Sequence, residues 1–182
     1  MNKPLSIHDV SVILDKLTGD LSFKIYLLDK YNKKSMFEMV KRKSKNKTGR
    51  KDYFMILYDL AEVGHWCCMV IDYDNMTAYF YCSFGIFIDD QFNYRVKPSS
   101  DDDNDLVRSM LRYLYKNGFE VHYNNVSMQD ISSSVCGRYC AVYIALNEKE
   151  DVTPDEFNML ITESCKKENI TPDELILDIT SG

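Results

Sequence analysis

The alternation of apolar and polar positions divides the chain into a helical start, a β-rich middle and a helical end. Val10, Ile13, Leu14 and Leu17 recur at helical spacing, and Ser6 stands where an N-cap belongs. Phe23 to Leu28 is a short apolar run, a strand or a buried turn, and Ser35 to Val40 has the pattern of a brief second helix. Tyr53 to Leu60, His65 to Tyr73 and Thr77 to Ser83 are rich in aromatic and aliphatic residues and read as three strands. Asp74-Asn75-Met76 joins the last two as a hairpin connection. After a polar loop at Pro98 to Asp103, a helix opens at Asn104 or Asp105, runs through Leu106, Met110, Leu111 and Leu114, and closes at Asn117-Gly118. Phe119 to Tyr123 alternates like a further strand, and beyond the loop Asn124 to Ser134 the run Cys136 to Leu146 reads as a buried helix. Thr-Pro-Asp-Glu occurs at 153–156 and again at 171–174. Each copy puts Thr at the N-cap, Pro at N1 and Glu at N3, a capping box that starts a helix.

This order predicts an α+β fold, with a central mixed or antiparallel sheet flanked by helices. A length of 182 residues suits one domain over 1–182. The net charge of −6 excludes a surface that is basic overall. No apolar run is long enough for a membrane span, so no membrane partner is expected. The first 21 residues mix Lys3, Asp9, Asp15, Lys16 and Asp20 with apolar positions, unlike a secretory signal. The chain is therefore read as not secreted, and its six cysteines as thiols. Cys136 and Cys140 are four apart with no second Cys/His pair near them in sequence, so no metal is expected.

The candidate chemistry sits where a polar loop runs into Cys136-Gly137 and an apolar helix follows at once. A thiol there lies over unpaired backbone N–H groups and the positive end of a helix dipole, and both favour the nucleophilic thiolate. Gly137 is read as keeping the space beside the sulfur clear for a substrate backbone. His65, one of three histidines, opens a central strand and precedes the only tryptophan, Trp66. A Cys–His pair far apart in sequence and close in the fold is the usual form of a thiol hydrolase.

Gly-His65-Trp, a strand pair ending in Tyr-Cys-Ser-Phe-Gly85, then Gln129 and Cys136-Gly resembles the adenovirus-type protease family, adenain, of the clan that includes SUMO-specific proteases. Gln129 stands seven residues before Cys136, and Cys82 seventeen after His65, as in the adenain pattern. Similar short proteases occur in virophages and Polinton-type elements. The resemblance implies a viral cysteine endopeptidase that cleaves capsid or core precursors during virion maturation, after small residues such as Gly-Gly. It makes Cys136 the nucleophile, His65 the general base, Gln129 an oxyanion-hole donor and Trp66 a shield against water. It implies a protease that works as a monomer in the virion and in the host-cell cytoplasm or viral factory. It needs no cofactor, though DNA or a viral peptide activates adenain.

The pattern breaks at one position. The family carries Asp or Glu where this chain has Cys82, and a thiol does not replace a carboxylate as a partner of imidazole. A Cys–His dyad is the favoured reading, with Cys82 or a displaced acid such as Asp89 as a third member. The basic stretch of Lys41, Arg42, Lys43, Lys45, Lys47, Arg50 and Lys51 holds no apolar residue and reads as an exposed loop that can contact phosphates. Three other readings stay open: a protease for ubiquitin-like modifiers, an acetyltransferase using coenzyme A, and an inactive binding relative.

Overall fold

The structure is a computed structural model and describes residues 5–19, 25–29, 31–46, 50–60, 63–85 and 102–182. Helix α1, Ile7–Thr18, starts at Ser6, whose side chain accepts from the Asp9 N–H while Asp9 reaches back. Strand β1, Ile25–Leu28, leads to helix α2, Lys33–Asn46. Strands β2, Lys51–Leu60, β3, Val63–Asp72, and β4, Thr77–Tyr81, form the antiparallel centre of the sheet. Helix α3, Asp102–Lys116, precedes strand β5, Glu120–Tyr123. Three helices finish the chain: α4, Cys136–Glu150, α5, Pro154–Glu168, and α6, Pro172–Ser181. Both Thr-Pro-Asp-Glu segments make the expected reciprocal capping boxes at the starts of α5 and α6.

The five strands lie in the order β1-β2-β3-β4-β5, with the two outer pairings parallel and the two inner ones antiparallel. The sheet is therefore mixed, and the α+β expectation holds. Side chains alternate across it. Trp66, Cys68 and Val70 share one face with Tyr79 and Tyr81, packed against α1, α4, α5 and α6. Cys67, Met69 and Ile71 share the other with Phe80 and Cys82, packed against α2 and α3. The adjacent cysteines of β3 thus belong to opposite cores. Helix α4 is buried on nearly all sides, and its Tyr143 ring stacks on Tyr81 with centroids 5.1 Å apart. Each such aromatic pair contributes about 1 kcal/mol beyond the area it buries.

One expectation is corrected here. The basic stretch is not a loop from Lys41 onward, because α2 continues to Asn46. Lys and Arg are good helix formers, and buried Val40 anchors the segment to the sheet. The lysine ammonium groups lie over aromatic rings: Lys41 Nζ over Phe37 at 4.2 Å, and Lys43 Nζ over Tyr26 and Tyr73. Apolar periodicity does not mark this segment, because its lysines are held by cation–π and ion-pair contacts with other elements.

Strand β4 stops at Tyr81, two residues earlier than its apolar run. A turn follows in which the Gly85 N–H donates to the Cys82 carbonyl at 2.9 Å. Gly85 has φ +67°, and a Cβ there would lie 2.5 Å from the Val126 carbonyl carbon and 2.7 Å from the Ser127 nitrogen. Only glycine lets these two backbones approach so closely. Gly85→Ala is expected to lower stability by about 2 kcal/mol or more, read as the shift in a chemical denaturation midpoint.

Candidate active site

The end of β4 exposes one edge of β3. Pairing between them begins at Cys68 and Tyr81, so Trp66 has no partner from β4. The first turn of α4 fills the gap. The Trp66 N–H donates to Cys136 Sγ at 3.5 Å, and the Cys140 thiol, one turn further, donates to the Trp66 carbonyl at 3.6 Å. Two thiols spaced i, i+4 thus satisfy one residue's orphaned backbone and dock the helix start against the strand. The N-cap residue Val135 offers no side-chain bond, so the first N–H groups of α4 and the positive end of its dipole remain directed at the space beside the sulfur.

His65 precedes Trp66 and so projects to the opposite face of β3. Its Nε2 lies 3.3 Å from Cys82 Sγ, and Cys136 is its other hydrogen-bonding partner. Phe84 stacks on the ring, with centroids 4.8 Å apart and planes 28° from parallel. The imidazole is 6% exposed, held between two thiols and under a phenyl ring. Burial alone would lower its pKa, but hydrogen bonds to Cys136 and then Cys82 outweigh that and raise it from 6.5 to about 9. The ring is then imidazolium at neutral pH. Burial pushes the Cys67 and Cys140 thiols up, so they stay protonated.

A raised histidine pKa means the proton is kept below about 9 and lost above it. Hydrolysis that needs imidazolium should therefore persist through pH 8 and fall as the pH rises through about 9. The basic limb of a kcat/KM profile checks this, and an unperturbed histidine would put that limb near 6.5.

Gln129 enters from the loop that follows β5. Its Oε1 accepts from the Ser83 hydroxyl at 2.6 Å, and its Nε2 donates one hydrogen to the Ser133 carbonyl at 2.8 Å. That orientation leaves the amide's second hydrogen for another acceptor. The Met128 and Gln129 N–H groups both donate to the Ser83 carbonyl. Asn124 clamps the preceding residue, accepting from Cys82 N at 3.0 Å and donating to Cys82 O at 2.6 Å. The turn that carries Cys82 is thus tied to the loop that carries Gln129.

The structure adds to three site readings. A Cβ at Gly137 would meet Trp66 Cδ1 at 3.1 Å and Leu5 at 3.5 Å, so its missing side chain makes room for the indole. Trp66 is buried on the sheet face away from His65, and its Nε1 donates to Leu5 O at 2.9 Å. It covers the Cys136 side, while Phe84 covers His65. Among the described residues no carboxylate is a partner of His65; the third position is Cys82 itself, and Asp89 lies outside the described residues. Asp72 is held in the far hairpin, where it accepts from the Asp74 and Asn75 N–H groups.

The predicted phosphate contacts are partly spoken for. Lys43 Nζ sits 2.9 Å from both Asp52 oxygens, Lys51 pairs with Asp151 at 2.6 Å, and Lys41 with Glu38 at 3.3 Å. Arg42 and Lys45 lie on α2 and exposed Arg50 just before β2, while Lys47 falls outside the described residues. Sequence reasoning missed Ser83, Phe84 and Asn124. The Cys-Ser-Phe-Gly string carried the first two, but nothing local marks Asn124.

No protein-family model matches the sequence, and no curated protein matches it. Among solved structures, ChlaDub1 from Chlamydia trachomatis aligns with TM-score 0.51 and 13% identity, covering 87% of this chain and 84% of that one. The C-terminal Ulp1 protease domain in complex with Smt3, the yeast ortholog of SUMO, aligns at 0.46 and 14%, over 84% and 69%. The Chlamydia trachomatis effector protein Cdu1 bound to ubiquitin aligns at 0.47 and 14%, over 85% and 84%. What the chain shares with ChlaDub1 at this identity is the fold.

Proposed function

We propose that this chain is a cysteine endopeptidase whose nucleophile is Cys136. The observation that carries the reading is the His65 ring, buried between the Cys136 and Cys82 thiols at the uncapped start of α4. Cys136 gives its thiol proton to His65, forming a thiolate–imidazolium pair. The thiolate attacks the peptide carbonyl, and His65 gives its proton to the leaving amine. Water, deprotonated by the now neutral ring, then cleaves the thioester. The Cys136 backbone N–H and the second Nε2 hydrogen of Gln129 supply the donors for the oxyanion. Cys82 holds the ring from behind without a carboxylate's charge, which makes the site a dyad with an oxyanion amide.

The adenain-like order of His-Trp, Gln and Cys-Gly supports a substrate of the viral precursor class, cut after small residues. Incubation with a capsid precursor and, separately, with a ubiquitin-like protein bearing a C-terminal extension divides the two protein substrates. Cleavage of the precursor alone supports the maturation reading, and release of the extension alone replaces it. Cleavage of neither, with no labelling by an iodoacetamide probe, overturns the protease reading.

Gln129→Glu keeps the shape and removes the donor. It is expected to lower kcat about 100-fold with KM little changed, measured on a fluorogenic peptide.

A further inference from the structure

The Cys82 position that breaks the triad also completes a second kind of site. His65, Cys67 and Cys82 each present one ligand atom, all three within 4.8 Å of one another and all buried. His65 and Cys67 sit two apart on the same face of β3, and Cys82 follows the end of β4 across from Cys67, continuing the register that pairs Cys68 with Tyr81. One nitrogen and two sulfurs are the donor types zinc prefers. Around a tetrahedral zinc such atoms stand about 3.6–3.8 Å apart, and His65 Nε2 and Cys82 Sγ are already 3.3 Å apart.

A second, independent feature points into the same space. Tyr58 lies opposite His65 on β2, is 2% exposed, and its hydroxyl has no hydrogen-bond partner. Its electrostatic neighbours are Cys67 and Cys82. An orphaned buried hydroxyl is costly unless something visits it. A fourth ligand, or a water on the metal, would meet that need.

We infer that His65, Cys67 and Cys82 form a binding site for a thiophilic divalent cation, zinc, with Tyr58 at the fourth corner or bonded to the water there. Binding displaces the two thiol protons and the Nε2 proton of the imidazolium to solvent, so that two thiolates and a neutral imidazole hold the metal. The site is read from ligand geometry and stands apart from the protease reading. If that reading holds, zinc takes His65 away from Cys136 and switches hydrolysis off reversibly.

The test uses the full chain, reduced and stripped of metal. One equivalent of Co(II) should give a thiolate-to-cobalt charge-transfer band and the intense visible bands of tetrahedral cobalt, and Zn(II) should displace it. Cys67→Ala should lower zinc affinity at least tenfold, measured against a chromophoric chelator, and leave metal-free hydrolysis unchanged. Cys136→Ala and Cys165→Ala should bind as the parent does. The parent's cobalt spectrum decides even if Cys67→Ala fails to fold. Absence of a charge-transfer band, or a band lost in Cys136→Ala but kept in Cys67→Ala, overturns the assignment. Because the readout is spectroscopic, an inactive protein that still binds cobalt separates failure of the protease reading from failure of this one.

Discussion

Cys136→Ala is expected to abolish peptide hydrolysis, with kcat/KM falling by about a thousandfold or more. The thiolate is the only group that forms the covalent intermediate, and no neighbouring sulfur can take its place. Cys140 is one helical turn deeper, with its thiol committed to the Trp66 carbonyl. Cys82 lies beyond His65 rather than on the open side of α4. The loss should appear without a loss of fold, since alanine suits a helix start inside this core. A thermal unfolding curve like the parent's, beside a flat progress curve, is the expected pair of results.

His65→Ala is expected to cost nearly as much, about a thousandfold in kcat, because one ring performs both proton transfers. It receives the Cys136 proton and delivers it to the leaving amine. The variant also removes the ring that Phe84 stacks on and leaves Cys82 without its partner at 3.3 Å. Hydrolysis in the variant should no longer fall as the pH rises through about 9, since the group responsible for that limb is gone. Initial rates between pH 6 and 10 on parent and variant measure both effects.

Much of this site was legible in the sequence because its chemistry is local. A Cys-Gly at the junction of a polar loop and an apolar helix implies a helix-start thiol whatever the fold, and α4 begins at Cys136. The capping boxes were readable for the same reason: Thr153 and Thr171 bond the N–H of residues three positions on. Features that depend on two distant segments were not. Asn124 clamps Cys82 across 42 residues, and its value lies in matching a turn's backbone, which leaves no periodic trace. The packing of Gly137 against the Trp66 ring was not legible because that ring comes from another element. The α2 extension escaped because its lysines are held by rings and a carboxylate from other elements, which leaves no apolar period in the sequence. Cys82 was legible as a departure from the adenain pattern, but its grouping with Cys67 and His65 needed the β3–β4 register.

The central claim is that His65 activates Cys136, and alkylation rates test it without assuming any substrate. Parent and His65→Ala protein are treated with limiting iodoacetamide at pH 7, and each cysteine's labelling rate is read by peptide mass mapping. In the parent, Cys136 should react at least about tenfold faster than Cys67, Cys140 or Cys165, and in His65→Ala that advantage should disappear. Equal rates among the cysteines of the parent, or a fast Cys136 that His65→Ala leaves unchanged, would contradict it.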